Sequence, residues 1–115
     1  MTFIYHMADK EDWAAARHAG FYAGTANDKA DGFIHFSTGE TVVGSAAKHR
    51  AGQENLILLT VDSDALGDAL KWEPARGGIL FPHLYGLLDP ALVLREEPLP
   101  LGPDGLHIFP AGIKE

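Results

Sequence analysis

The chain has 115 residues and no cysteine, with 46% hydrophobic and 22% charged residues, a composition that excludes disorder and fits one globular domain. Sixteen acidic against nine basic side chains leave a net charge of −7. The tightest basic grouping is Lys48-His49-Arg50, which argues against binding along a nucleic-acid backbone.

Phe3–Met7 is rich in aromatic and β-branched residues and reads as an opening strand. Its alternation puts Ile4 and His6 on one face and Phe3, Tyr5 and Met7 on the other. Asp9 reads as an N-cap, followed by a helix through Trp13–His18 that Gly20 stops. Phe21–Thr25 follows as a brief extended segment, then a polar loop through Asn27-Asp28-Lys29 and a turn at Asp31-Gly32. Phe33–Ser37 is the next expected strand, with Phe33, His35 and Ser37 on one face and Ile34 and Phe36 on the other.

Ser37-Thr38-Gly39-Glu40 has the S-x-x-E spacing of a capping box, predicting a helix that carries Val42, Val43, Ala46 and Ala47 on one side. Lys48-His49-Arg50 suits the negative end of its dipole, and Gly52 ends it. Leu56–Val61 is the best candidate for a central buried strand. Ala65–Leu70 reads as a short helix or turn, with Lys71-Trp72-Glu73-Pro74 as a turn after it. In Ile79–Gly86, Pro82 lacks a ladder donor and predicts an edge, a bulge or a strand end. Ala91–Glu97 is a further strand and Leu106–Phe109 a candidate last one. The expectation is a single α+β domain over 1–115, with its core in about 3–97 and an extended proline-rich segment over 98–115. Apolar runs stop at four residues and the first residues lack the features of a secretory leader, so no membrane association and a cytoplasmic location are expected.

No phosphate-binding glycine loop, zinc-protease or serine-hydrolase motif occurs in the chain. The informative feature is three histidines in predicted strands, His6, His35 and His83, each flanked by aromatic residues. An imidazole inside an apolar strand needs a partner, because an unpaired buried polar group costs about 1–3 kcal/mol. Three of them in one small sheet point to a shared polar cleft; the plain alternative is that each is a satisfied core or rim residue. A three-histidine metal site is a further alternative, weakened by the absence of local ligand spacing and of cysteine, and no metal is expected. Ser37, Thr38 and Gly39, at the expected helix N-terminus, would suit an anion. Glu73 could bring a carboxylate toward the cleft, although Trp72-Glu73 reads equally as a packing anchor beside a solvated acid. His18 and His49 read as dipole partners at helix ends.

Ile4-Tyr5-His6, Trp13, Gly20-Phe21-Tyr22, Asp31-Gly32-Phe33-Ile34-His35-Phe36-Ser37, Val61-Asp62, Leu70-Lys71-Trp72-Glu73 and Phe81-Pro82-His83-Leu84-Tyr85-Gly86 together resemble a small bacterial family known as domain of unknown function 952. The resemblance implies a fold similar to that of ADP-ribosyltransferases: a bent, split β-sheet, here with two short helices in the N-terminal half, and a nucleotide cleft between the halves. It implies NAD or a related ADP-ribosyl nucleotide as the ligand, with His6 on a ribose and Ser37 and Thr38 on a phosphate or hydroxyl. Tyr22 and Tyr85 would add to the binding surface. His35, His83 and Glu73 would stand at the reacting centre. Such enzymes carry a glutamate where this chain has His83, so a non-catalytic small-ligand-binding module is the alternative.

Overall fold

The computed structural model describes residues 2–113, with Arg76 through its backbone only. Among the described residues, seven strands form two antiparallel sheets. The first has four strands in the order β3 (Ser37–Thr38), β1 (Phe3–Asp9), β4 (Leu56–Asp62) and β7 (Val93–Leu99). The second has three, β2 (Ile34–His35), β6 (Leu80–Leu84) and β5 (Leu70–Pro74). The helices are α1 (Lys10–Ala19), α2 (Ala26–Asp31) and α3 (Val42–His49).

Alternation along β1 sorts the core. Ile4 and Ala8 pack with Trp13 and Ala16 of α1 and with Tyr22, Ile34, Phe36, Leu59, Val61, Leu84 and Leu88. Tyr5, from the opposite face, packs with Val42 of α3 and with Leu56, Leu58 and Leu99. Both faces of the larger sheet are therefore covered, which is why Leu56–Leu59 is an unbroken apolar run rather than an alternating one. Expected and observed agree on β1, on β4 as an interior strand, and on α1 between Asp9 and a left-handed Gly20 (φ +90°). Asp9 occupies the N-cap position without capping through its side chain, because its carboxylate pairs with Arg50 at 2.9 Å.

Four local expectations need correction. Asn27-Asp28-Lys29 is helix α2, closed by a reciprocal capping box in which Asp28 N–H donates to Thr25 Oγ1 and Thr25 N–H to Asp28 Oδ2. The S-x-x-E box at Ser37 does not form: Ser37-Thr38 is a strand, Thr41 is the N-cap of α3, and the Ser37 hydroxyl donates to Ser45 Oγ at 3.4 Å. Lys71–Pro74 is not a turn but lies within edge strand β5, where Trp72 is exposed and so no packing anchor. Leu106–Phe109 forms no strand; His107 makes one isolated bridge to Leu101.

Pro82 lies in the middle strand of its sheet, not at an edge. The β2–β6 ladder ends at the His35–His83 pair, and beyond it only the Pro82 carbonyl is used, accepting from Phe36 N–H at 3.0 Å. The proline thus marks a ladder end, and Phe36 is the single residue at which the chain leaves one sheet and enters the other. β7 reaches Leu99 and takes in Pro98, which an edge strand tolerates.

Candidate functional site

The sheets diverge around Phe36, and α2 and α3 flank the opening. The result is a cleft of about 620 Å³ whose walls include His6, Asp28, His35, Ser37, Arg50 and His83. Three of the predicted strand histidines and Ser37 thus meet in one cavity. Thr38, Tyr22, Glu73 and Tyr85 are not among its lining residues.

His35 is set by α2. Its Nδ1 donates to Asp28 Oδ1 at 2.5 Å, and its Nε2 pairs with Asp31 Oδ2 at 3.0 Å. Hydrogen bonding to Asp28 raises the His35 pKa above the ordinary value, outweighing partial burial, and Asp31 adds to it. His35 is accordingly held toward its imidazolium form. Asp28 is 3% exposed. Burial opposes its ionisation, yet hydrogen bonds from the His35 ring and from the Thr25 and His35 N–H groups, with the nearby His6, hold its carboxyl below the usual range. Gly24 makes room for this carboxylate: at φ +96°, a Cβ there would stand 2.6 Å from Asp28 Cβ.

His6 is 3% exposed and has both ring nitrogens engaged within the protein. Because the His35 carbonyl can only accept, the 2.7 Å contact assigns the proton to His6 Nδ1. Nε2 then accepts from the Tyr22 hydroxyl at 2.7 Å. Burial lowers the His6 pKa and raises that of Tyr22, both consistent with a neutral pair. These two residues position the His35 backbone: His6 stands on the cleft wall with both ring nitrogens engaged, and Tyr22 lies behind it.

His83 sits opposite His35 in the β2–β6 register, with ring centroids 5.6 Å apart. Its Nδ1 donates to Glu73 Oε1 at 2.8 Å, and the Tyr85 hydroxyl donates to the same oxygen at 2.7 Å. Those bonds, Tyr85's first, lower the Glu73 pKa, and Glu73 in turn raises that of Tyr85. Among the described residues Nε2 of His83 has no hydrogen-bond partner. Phe33 stacks on the His83 ring at 4.1 Å and contacts His35 and Tyr85 as well, so that the two imidazoles share an aromatic support. Glu73 and Tyr85 therefore stand behind His83 rather than on the cleft wall. Thr38 bonds to Thr41, and neither it nor Ser37 is at a helix N-terminus, which removes the reason for expecting an anion there.

A three-histidine metal centre does not match this geometry. His6 and His35 each have both ring nitrogens committed, and among the described residues no group of three or more His, Cys, Asp or Glu side chains is arranged to hold an ion. Asp28 and Asp31 are the site residues that the sequence reading missed. Their signal was the T-x-x-D spacing of Thr25 and Asp28, a capping box with aspartate in the place of glutamate.

The model of the family described as Protein of unknown function (DUF952) matches residues 7–96. The chain belongs to this family. The chain is also similar to protein CC0527 from Caulobacter crescentus. The crystal structure of that protein is 48% identical, covers 93% of this chain and 94% of its own, and superposes with a TM-score of 0.90. Its solution NMR structure is 49% identical over 92% and 91% of the two chains, with a TM-score of 0.82. No curated protein matches the chain. Among the described residues no helix is long and apolar enough to cross a membrane.

Proposed function

We propose that the cleft is an ADP-ribosyltransferase-like site that binds NAD or a related ADP-ribosyl nucleotide and acts on it through His83. The observation that carries this reading is the His35–His83 pair. One imidazole is held toward its charged form by Asp28, and the other, on the cleft wall, has Nδ1 fixed by Glu73 and Nε2 without a hydrogen-bond partner among the described residues. The two sheets joined through Phe36, with the cleft at their junction, support it further.

Each residue has a defined part. Glu73 fixes the tautomer and orientation of His83, so that Nε2 presents a lone pair to an acceptor hydroxyl or water and takes its proton. With His83 neutral, the dyad carries one negative charge beside the cleft. This supplies part of what a glutamate gives a developing oxocarbenium ion in the transferases. His35 contacts the ligand from the other strand, and Phe33 keeps both rings aligned. His6 and Tyr22 hold the His35 main chain.

A second reading is favoured by the same dyad. Glu73 Oε1 already accepts from both His83 and Tyr85, so the carboxylate is turned from the cleft, as in a binding module without turnover. Nicotinamide release from NAD, assayed with water and with small nucleophiles, separates the two. The enzyme reading expects release that is lost in His83→Ala. Saturable nucleotide binding without release supports the binding module, and an undiminished rate in His83→Ala refutes the assigned base.

A further inference from the structure

The two carboxylates on His35 are unequal. Asp28 is 3% exposed and fixed by Thr25 N–H, His35 N–H and the His35 ring. Asp31 has a side chain 47% exposed and, among the described residues, meets only His35 Nε2, at 3.0 Å. It is the last residue of α2 and precedes Gly32, so its carboxylate can turn into solvent about its own side-chain bonds without moving the helix. We infer that a phosphoryl group of the ligand seats on His35 Nε2, in the place the Asp31 carboxylate fills. This rests on the nucleotide reading above and names the ligand group and the residue that gates it.

Three observations support the exchange. The position on Nε2 is already an oxyanion position, since a carboxylate oxygen lies there. An ion pair open to solvent adds little stability, so replacing Asp31 by another oxyanion costs little. With Asp31 turned away, the Asp28–His35 pair is neutral overall and offers one N–H to the arriving group instead of a net negative charge. Asn27, which lines the same cavity, offers its side-chain amide for a remaining oxygen. Asp31 thus acts as an internal competitor: it selects for phosphoryl groups able to displace it and screens out weaker anions.

The test is a titration of the full chain with inorganic phosphate and pyrophosphate, followed through the histidine ring resonances of the native protein, Asp31→Asn and His35→Gln. The expected result is a saturable shift of the His35 ring, an Asp31→Asn variant that binds about threefold to fivefold more tightly, and a His35→Gln variant that has lost the site. Unchanged or weaker phosphate binding in Asp31→Asn overturns the inference. A parallel titration with NAD keeps the two proposals separable. If NAD moves cleft resonances while Asp31→Asn leaves phosphate affinity unchanged, the gate falls and the nucleotide reading stands. If neither ligand moves the cleft, both fall.

Discussion

His35 and His83 face each other in register across two strands, and each gives its Nδ1 proton to a carboxylate, Asp28 at 2.5 Å and Glu73 at 2.8 Å. The partners differ in setting. Asp28 is buried and locked into a helix cap, whereas the Glu73 side chain is 39% exposed on an edge strand. Two residues of the same type are thereby held in different surroundings by the elements that carry their partners.

Replacing Asp28 by Asn removes the charge that holds His35 as imidazolium. The expected outcome is a fall of the His35 pKa toward or below its ordinary value of about 6.5, read by its ring resonances. A loss of about 2–3 kcal/mol in unfolding free energy should accompany it, because a buried hydrogen bond to a charged group is broken.

Gly24→Ala tests the cradle from the opposite side. The new Cβ would lie 2.6 Å from Asp28 Cβ and 2.7 Å from Oδ2, at a φ of +96° that side-chain-bearing residues rarely adopt. Destabilisation of about 1–3 kcal/mol is expected from the strained backbone, with the His35 resonances shifting as in Asp28→Asn. A variant of native stability with an unchanged His35 titration would refute the packing account.

Stability should depend on pH in a way that follows from these shifts. His35 has a raised folded pKa, so its contribution is complete below the unfolded value and is lost as pH rises through the folded one. Asp28 has a depressed folded pKa, so its contribution is present above the unfolded value and lost as pH falls through the folded one. The pair therefore stabilises most between about pH 4 and pH 6.5. His6 works against it: its folded pKa is lowered, so stability falls as pH drops below the ordinary histidine value. Denaturant midpoints for the native protein and Asp28→Asn should draw closer as pH rises through the His35 titration, without meeting, because the Thr25 and His35 N–H bonds to Asp28 do not titrate; parallel curves would contradict the assignment.

Glu73→Gln addresses the dyad without touching the core. It should leave stability and nucleotide affinity nearly unchanged, since the side chain lies at the surface. Turnover should drop about 10²-fold or more, as when a general base loses its orienting group. Tyr85→Phe, which keeps the carboxylate beside His83, should lose far less. Equal losses in the two variants would place the role elsewhere.

Most of this arrangement was legible in the sequence, for definable reasons. Period-two alternation put His6 with Ile4 on one face of β1, but the single strand expected over Phe33–Ser37 is two short strands in different sheets, because the chain changes sheet at Phe36. A shared cleft for His6, His35 and His83 was expected from three histidines in one small sheet; they meet in one cavity, but from two sheets. The Ser37-x-x-Glu40 box failed because tertiary pairing won: Ser37 is opposite Tyr5 on β1, so its backbone is a strand and the helix waits for Thr41. The Thr25–Asp28 box was read as loop because Asn, Asp and Lys in a row resemble a turn, while the helix they form is only six residues long. Glu73 was misplaced in a turn because Pro74 and the following glycines obscured an edge strand. The engagement of both His6 nitrogens depends on Tyr22 and the His35 carbonyl, distant contacts that no local pattern encodes.

The most direct test of the nucleotide reading is a two-dimensional NMR titration of the untagged chain with NAD, ADP-ribose and nicotinamide, at a pH near neutrality. The account predicts saturable shifts centred on Asn27–His35, Ser37 and His83, for NAD and ADP-ribose alike, and their loss in His35→Gln. Unperturbed cleft resonances at millimolar NAD and ADP-ribose, in a chain that remains folded, would contradict it.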